Sequence, residues 1–283
     1  MTGDHSVRPA ATHRGMFVRE SGDPGSPAIV FLHGVGNSGG MWAQHLTHLE
    51  THHCLAPDLP GFGRSNGLAW SSLVDTAARV ARLIEATASS GRAHVVGLSL
   101  GGAVAHQLLA TRSDLLDRVV IDGCSALPWW GARAITAGVA ALSPFIHTDA
   151  VVSTVGRVWR LDDESRHDLK AASPRAFRRG FADANDVRMT AAELAAPCPT
   201  LLVAGEKEVR PPVRSSNAAL AALMPQAQAR YLPGHAHGWL GAEPELHRRM
   251  IRAWIGGDEL PAELLPETSS WDASVVERVL AGP

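Results

Sequence analysis

Cysteine is scarce in this 283-residue chain. Cys54, Cys124 and Cys198 are odd in number and far apart, and no CxxC pair occurs. A disulfide framework or a zinc site needs closer pairing, so three buried, reduced thiols are expected, with no metal and a cytoplasmic setting. Long apolar runs are missing as well. No stretch approaches the roughly 18 residues of a membrane helix, so no membrane span or membrane partner is expected. The first fifteen residues hold His5, Arg8, His13 and Arg14 but no apolar centre, so a secretory signal is not expected. Charge of one sign is not in excess: 26 basic residues stand against 28 acidic ones. Such a chain projects no strong field toward nucleic acid, and no nucleic-acid partner is expected. Repeats and low-complexity tracts are also absent. With 45% apolar and 19% charged residues, the composition is that of a globular protein and not of a disordered, collagen-like or coiled-coil chain.

What is present is an alternation. Short aliphatic runs at residues 28–32, 53–56, 94–96, 118–121, 200–204 and 229–232 are each followed closely by Gly, Pro or Asp. Strands buried on both faces have this form. Helical patterns lie between them at 71–89, 101–111, 215–223 and 245–255. In the first, Leu73, Ala77, Val80 and Ile84 recur at helical spacing, Arg79, Arg82 and Glu85 take the other face, and Gly91 follows as a stop. Strands alternating with helices predict an α/β fold: a mainly parallel sheet flanked by helices. The alternation breaks over 125–196, where Trp129, Trp130, Phe145, Trp159, Phe177 and Phe181 stand among helix formers punctuated by Pro128, Pro144 and Pro174. This segment is expected to be a helical cap inserted into a core of 1–124 and 197–257, with 258–283 as a C-terminal arm.

The most specific local signal is Gly97-Leu98-Ser99-Leu100-Gly101, placed between an apolar run and a small-residue helix. A serine at such a strand-to-helix turn sits in strained backbone, so its neighbours two before and two after must be nearly free of side chain. The turn lifts the hydroxyl above the sheet edge, with a helix N-terminus behind it. Ser99 is therefore the candidate nucleophile. Among fourteen histidines, position selects those after the last apolar run, His235 and His237. For the acid, Glu208 follows the run at 200–204, and Asp122 ends the run at 118–121. Both stay open.

Several constellations read as structural. His33, at a strand end, is expected to lock its loop. His45, His48, His52 and His53 crowd one helix and its exit, and are expected to form a solvated face instead of a metal site. Arg175, Arg178 and Arg179 likewise read as a solvated face. Gly34, Gly36 and Gly39 hint at a dinucleotide loop, but the acid about 20 residues on is Asp58, which belongs to a proline–glycine loop. No cofactor is expected.

Together these residues resemble the α/β-hydrolase superfamily from about Gly15 to Ile255. The resemblance rests on His33-Gly34, on Trp42, and on the run Ala56-Pro57-Asp58-Leu59-Pro60-Gly61-Phe62-Gly63-Arg64-Ser65. The serine turn, the stretch Pro199 to Gly205 and His237 complete it. It implies a sheet of the eight-stranded type, a chain order of serine, acid, histidine, and a base at the end of the proline-glycine-x-x-histidine pattern, His237. It implies an oxyanion hole made by the N–H groups of Val35 and Leu100. The family usually has Asp after the Gly205 strand where this chain has Glu208, which keeps Asp122 as the alternative. Relatives that cleave epoxides or carbon–halogen bonds use Asp as nucleophile, where this chain has Ser99. The implied activity is a cytoplasmic serine hydrolase of the esterase kind, acting through an acyl-enzyme. Eight of the fifteen aromatics are Trp. The cap and Trp239 are expected to shape a large apolar pocket, which points to a hydrophobic small-molecule substrate. The alternatives are a C–C bond hydrolase acting on a diketone-like compound, or a non-catalytic small-molecule binder on the same fold.

Overall fold

The computed structural model describes residues 8–13, 15–127, 131–158, 161–195, 198–208 and 213–268. Six strands coincide with the six aliphatic runs: β3 (Ala28–Leu32), β4 (His53–Pro57), β5 (Ala93–Leu98), β6 (Leu116–Asp122), β7 (Thr200–Lys207) and β8 (Ala227–Ala236). Ahead of them β1 (Arg8–His13) and β2 (Met16–Ser21) pair antiparallel around Gly15, whose φ is +90°. The two-residue β9 (Leu265–Pro266) closes the far edge. The order is β1-β2-β4-β3-β5-β6-β7-β8-β9. Every pairing from β4 to β8 is parallel, and β1–β2, β2–β4 and β8–β9 are antiparallel. The sheet is thus mainly parallel, as expected, with antiparallel additions at both edges.

Alternation along β3 shows why its run is apolar throughout. Ala28, Val30 and Leu32 face one core, and Ile29 and Phe31 face the other. The first core is covered by α2 (Leu73–Thr87), α3 (Leu100–Arg112) and α9 (Val213–Leu223). The second is covered by α1 (Ala43–His48) and α10 (Pro244–Gly256), through Trp42, Leu46, Met250, Ile251 and Trp254. The helix expected at 71–89 is α2. Ser72 starts it by accepting a hydrogen bond from the Asp75 N–H at 3.1 Å.

Between β6 and β7 lie α4 (Ala132–Leu142), α5 (Asp149–Val158), α6 (Asp163–Ala171), α7 (Pro174–Asp186) and α8 (Ala191–Leu194), with no strand among the described residues. Three starts are capped as their sequences dictate. Asp162 caps α6, Ser173 precedes Pro174 at α7, and Thr190 with Glu193 forms a reciprocal box at α8. Trp129, Trp130 and Trp159, counted above among the cap aromatics, lie outside the described residues. So does 269–283 of the arm. The described part of the arm buries Leu264 and sets Leu265–Pro266 against β8, while Glu267 pairs with Arg214 at 2.5 Å. Cys54, Cys124 and Cys198 are buried and unbridged, and burial pushes the Cys54 thiol up to about 12 and the Cys198 thiol up to about 11. Among the described residues no helix is long and apolar enough to cross a membrane.

Candidate active site

Ser99 stands between β5 and α3 with φ +55° and ψ −109°. Its φ is the one positive value at a non-glycine among the described residues. The strain is held in place by crowding. A Cβ on Gly97 would run into the Gly101 carbonyl, and a Cβ on Gly101 into the Leu32 carbonyl of the neighbouring strand. The Ser99 N–H donates to the Asp122 carbonyl at 2.8 Å, which ties the turn to β6. Leu100 opens α3, where backbone N–H groups have no partner within the helix. The loop after β3 comes close on the other side: a Cβ on Gly34 would lie 3.6 Å from the Ser99 Cβ. Val35 follows in that loop and borders the same cavity as Ser99.

His33 fixes this loop. The Leu59 N–H donates to its Nε2 at 2.9 Å, which leaves Nδ1–H to donate to the Gly34 carbonyl at 2.8 Å. Burial pulls its pKa down, consistent with a neutral ring. Asp58 braces the loop from behind. Its carboxylate accepts from the N–H groups of Gly39 and Arg64 and from the Arg19 guanidinium, each at 2.8 Å. Gly36 and Gly39 are thus committed to close packing within the fold. A Cβ on Gly39 would meet the Ala56 carbonyl, and one on Gly36 would sit 2.8 Å from Leu169 Cδ1.

His237 follows directly on β8. Its Nδ1 donates to Glu208 Oε2 at 2.8 Å, and the Glu208 side chain is 3% exposed. Glu208 Oε1 also accepts from the Gly205 N–H at 3.2 Å, so both oxygens of this carboxylate are engaged. His235 turns elsewhere, with Nδ1 on the Pro233 carbonyl at 2.7 Å and Nε2 3.5 Å from Glu243. Asp122 does not bond His237. It is buried behind the site, where its Oδ1 accepts from the Trp239 indole at 3.2 Å. Gly123, which the sequence reading missed, is pressed beneath the imidazole: a Cβ there would stand 2.6 Å from His237 Cε1. Its signal was a glycine directly after the strand-end Asp122, and its φ of +62° favours that residue.

Ser99, Val35, Glu208 and His237 border one cavity of about 460 Å³. Ile135, Val139, Leu161 and Phe181, from the segment between β6 and β7, supply its apolar wall. Asn37, Gln44 and Asn185 add amides that the sequence reading did not single out. Two expectations need correction. Trp239 does not line this cavity; its indole is buried in the second core, because its N–H finds Asp122 there. The crowded histidines are a solvated face only in part: His48 is exposed and His52 half-buried, but the other two are not. His45 is 1% exposed and its Nε2 lies 2.9 Å from His247 Nδ1 on α10. His53 is equally buried, with Nε2 2.8 Å from Glu20. His45 is covered by α10, an element distant in sequence. Arg175, Arg178 and Arg179 are exposed on α7. Among the described residues no group of three metal-ligating side chains is brought together.

The comparisons with known proteins agree with this layout. A family model described as the alpha/beta hydrolase family matches residues 29–248. An AB hydrolase superfamily protein of Gibberella zeae is 28% identical over 258 residues, 86% of this chain and 84% of that one. A pimeloyl-[acyl-carrier protein] methyl ester esterase of Vibrio vulnificus is 33% identical over 162 residues, 54% of this chain and 61% of that enzyme. Among solved structures, the enol-lactonase of Burkholderia xenovorans superposes with a TM-score of 0.74 at 18% identity, over 88% of this chain and all of the other. An esterase of Thermogutta terrifontis gives 0.71 at 20% identity, over 90% and 99%.

Proposed function

The chain belongs to the alpha/beta hydrolase family, and from that premise we propose that it is a serine hydrolase that cleaves a carboxylic ester, or a related acyl bond, of a hydrophobic small molecule. One observation carries the reading. A serine in strained, glycine-enforced backbone opens into the same apolar cavity as a histidine whose far nitrogen is held by a buried glutamate. In this reading His237 takes the Ser99 proton, and Oγ attacks the substrate carbonyl. The Val35 and Leu100 N–H groups hold the oxyanion, and Glu208 stabilises the imidazolium. His237 returns the proton to the leaving alcohol, and water then releases the acyl group by the same steps. Residues 125–196 act as the cap over a core of 1–124 and 197–257, and supply the wall that receives the apolar group.

The test is labelling with a fluorophosphonate, comparing wild type with Ser99→Ala and His237→Ala, followed by hydrolysis of p-nitrophenyl esters of rising chain length. Labelling that disappears in both variants, with turnover that depends on chain length, is the expected result. A folded wild type that takes no label defeats the proposal.

A further inference from the structure

Asp122 has no part in the chemistry above, yet it is tied to the turn that carries Ser99 and to the turn that follows His237. Its carbonyl holds the Ser99 N–H, and the next residue, Gly123, supports the His237 ring. Its carboxyl receives the indole N–H of Trp239, two residues after His237 in a single turn of 3-10 helix, Trp239–Gly241. Its second oxygen, Oδ2, lies 3.5 Å from His247 Nε2, and among the described residues neither atom has a hydrogen-bond partner. His247 Nδ1 meets His45 Nε2 at 2.9 Å. Trp42 and Trp239 close around this row, with ring centroids 5.9 and 4.8 Å from that of His247.

We propose that Asp122 is a positioning residue for His237: its carboxyl pins the Trp239 turn, and the buried His247–His45 pair backs the carboxyl. This rests on the reading of His237 as the base.

The groups facing Asp122 decide its form. From the end of β7 comes Glu208, from the turn after β8 His237, and from α10 His247 with Arg248 beside it. From α1, His45 lies beyond. Burial, reinforced by the Glu208 charge, pushes the Asp122 carboxyl up to about 8, against the opposing pull of His237 and Trp239. Burial holds His247 at about 3 and His45 well below the usual histidine range. At neutral pH the row is therefore a carboxylic acid and two neutral imidazoles. The donors and acceptors then run one way. Trp239 donates to Oδ1, the acid proton on Oδ2 faces the His247 Nε2 lone pair across 3.5 Å, and His247 Nδ1–H donates to His45 Nε2. An un-ionised carboxyl adds no second charge beside Glu208, so it can brace the turn without competing for the imidazole.

An amide reproduces this pattern. In Asp122→Asn the side-chain oxygen would accept from Trp239, and the amide nitrogen would turn an N–H toward His247 Nε2. The experiment compares wild type with Asp122→Asn, Asp122→Ala and Trp239→Phe. It reads fluorophosphonate labelling, kcat and KM on a short p-nitrophenyl ester across pH, and melting temperature at pH 5 and pH 8. Asp122→Asn should keep kcat within about threefold and leave its pH profile in place. Asp122→Ala and Trp239→Phe should lower kcat by about 10- to 100-fold with KM unchanged, because the base loses its seat and not the substrate its pocket. The melting temperature of Asp122→Asn relative to wild type should rise between pH 5 and pH 8. Over that window the unfolded aspartate is already ionised, while the folded one keeps its proton up to about pH 8.

A loss of about 10⁴ in Asp122→Asn would instead make Asp122 the ionised partner of the base and overturn the proposal. So would wild-type kcat in Asp122→Ala, or in Trp239→Phe should the alanine variant not fold, and so would a melting difference that ignores pH. A wild type that neither labels nor turns over removes the hydrolase reading and the positioning of a base with it. A wild type that labels, beside variants that match it, removes the positioning alone.

Discussion

The Glu208–His237 contact is the short, buried bond on which the proposed chemistry turns. At 2.8 Å, with Glu208 almost withdrawn from water, the carboxylate fixes which imidazole nitrogen carries the proton, so that the other is left as a base. Glu208→Gln keeps the size of the side chain and removes the charge. It is expected to lower kcat on a p-nitrophenyl ester by about 10³- to 10⁴-fold with little change in KM. Steady-state kinetics decide this, and a kcat within threefold of wild type would show that another group orients His237. The sequence alone could not choose between Glu208 and Asp122, because both end strands on the same sheet edge. Only the bend of the chain after β7, which brings Oε1 back to the Gly205 N–H at 3.2 Å, aims Glu208 at the imidazole. The elbow itself was legible because its reason is local: Gly97 and Gly101 are required by contacts within the turn and with the adjacent strand.

At the scale of elements, α7 connects the cavity to the core. Phe181, Ala184 and Asn185 on this helix border the cavity. The helix is tied down at two points. The Trp70 indole donates to Asp183 Oδ2 at 2.7 Å, and the Ser173 N–H donates to the Gly61 carbonyl at 3.1 Å. Asp183→Ala leaves the indole N–H of the buried Trp70 without its acceptor, a loss of about 1–3 kcal/mol in stability. Freed at that end, α7 should shift its lining residues, so KM should rise more than kcat falls. Urea unfolding and kinetics on a long-chain ester check both parts, and an unchanged KM would mean that α7 is held by its apolar face alone. The same scale explains what the sequence showed of the fold. β3 to β8 stood out because helices cover both faces and make each run aliphatic. β1 and β2 lie at an edge, where Met16 and Val18 are buried between half-exposed neighbours, and so gave no continuous run. β9 is two residues long and gave no pattern at all. His45 and His53 were misread because their burial depends on α10 and on Glu20 of β2, neither visible from the local spacing.

For the whole molecule, buried histidines set the response to acid. His106 lies fully buried on α3 with neither ring nitrogen bonded among the described residues, and burial pulls it down to about 3, as it does His247. Both stay neutral in the folded protein, while the unfolded chain takes up their protons below the ordinary value of 6.5. A depressed pKa of this kind gives stability that is present above 6.5 and is lost as pH falls toward 3. Each group removes about 1.4 kcal/mol per pH unit across that window. Asp122 has the opposite sign, since its raised pKa gives stability present below 3.8 and lost as pH climbs to about 8. From pH 6.5 down to 4 the two histidines outweigh the one carboxyl, and from 6.5 up to 8 the carboxyl acts without them. The part of the stability set by these three groups is therefore greatest near pH 6.5 and falls by about 1.4 kcal/mol per unit on either side. His106→Leu removes one histidine and two unpaired nitrogens from an apolar setting. Its unfolding free energy, from urea titrations at pH 5 and 6.5, should fall with acid by about 1.4 kcal/mol per unit less than that of wild type. Equal slopes for the two proteins would mean that His106 already carries its proton inside the fold, against the burial that surrounds it.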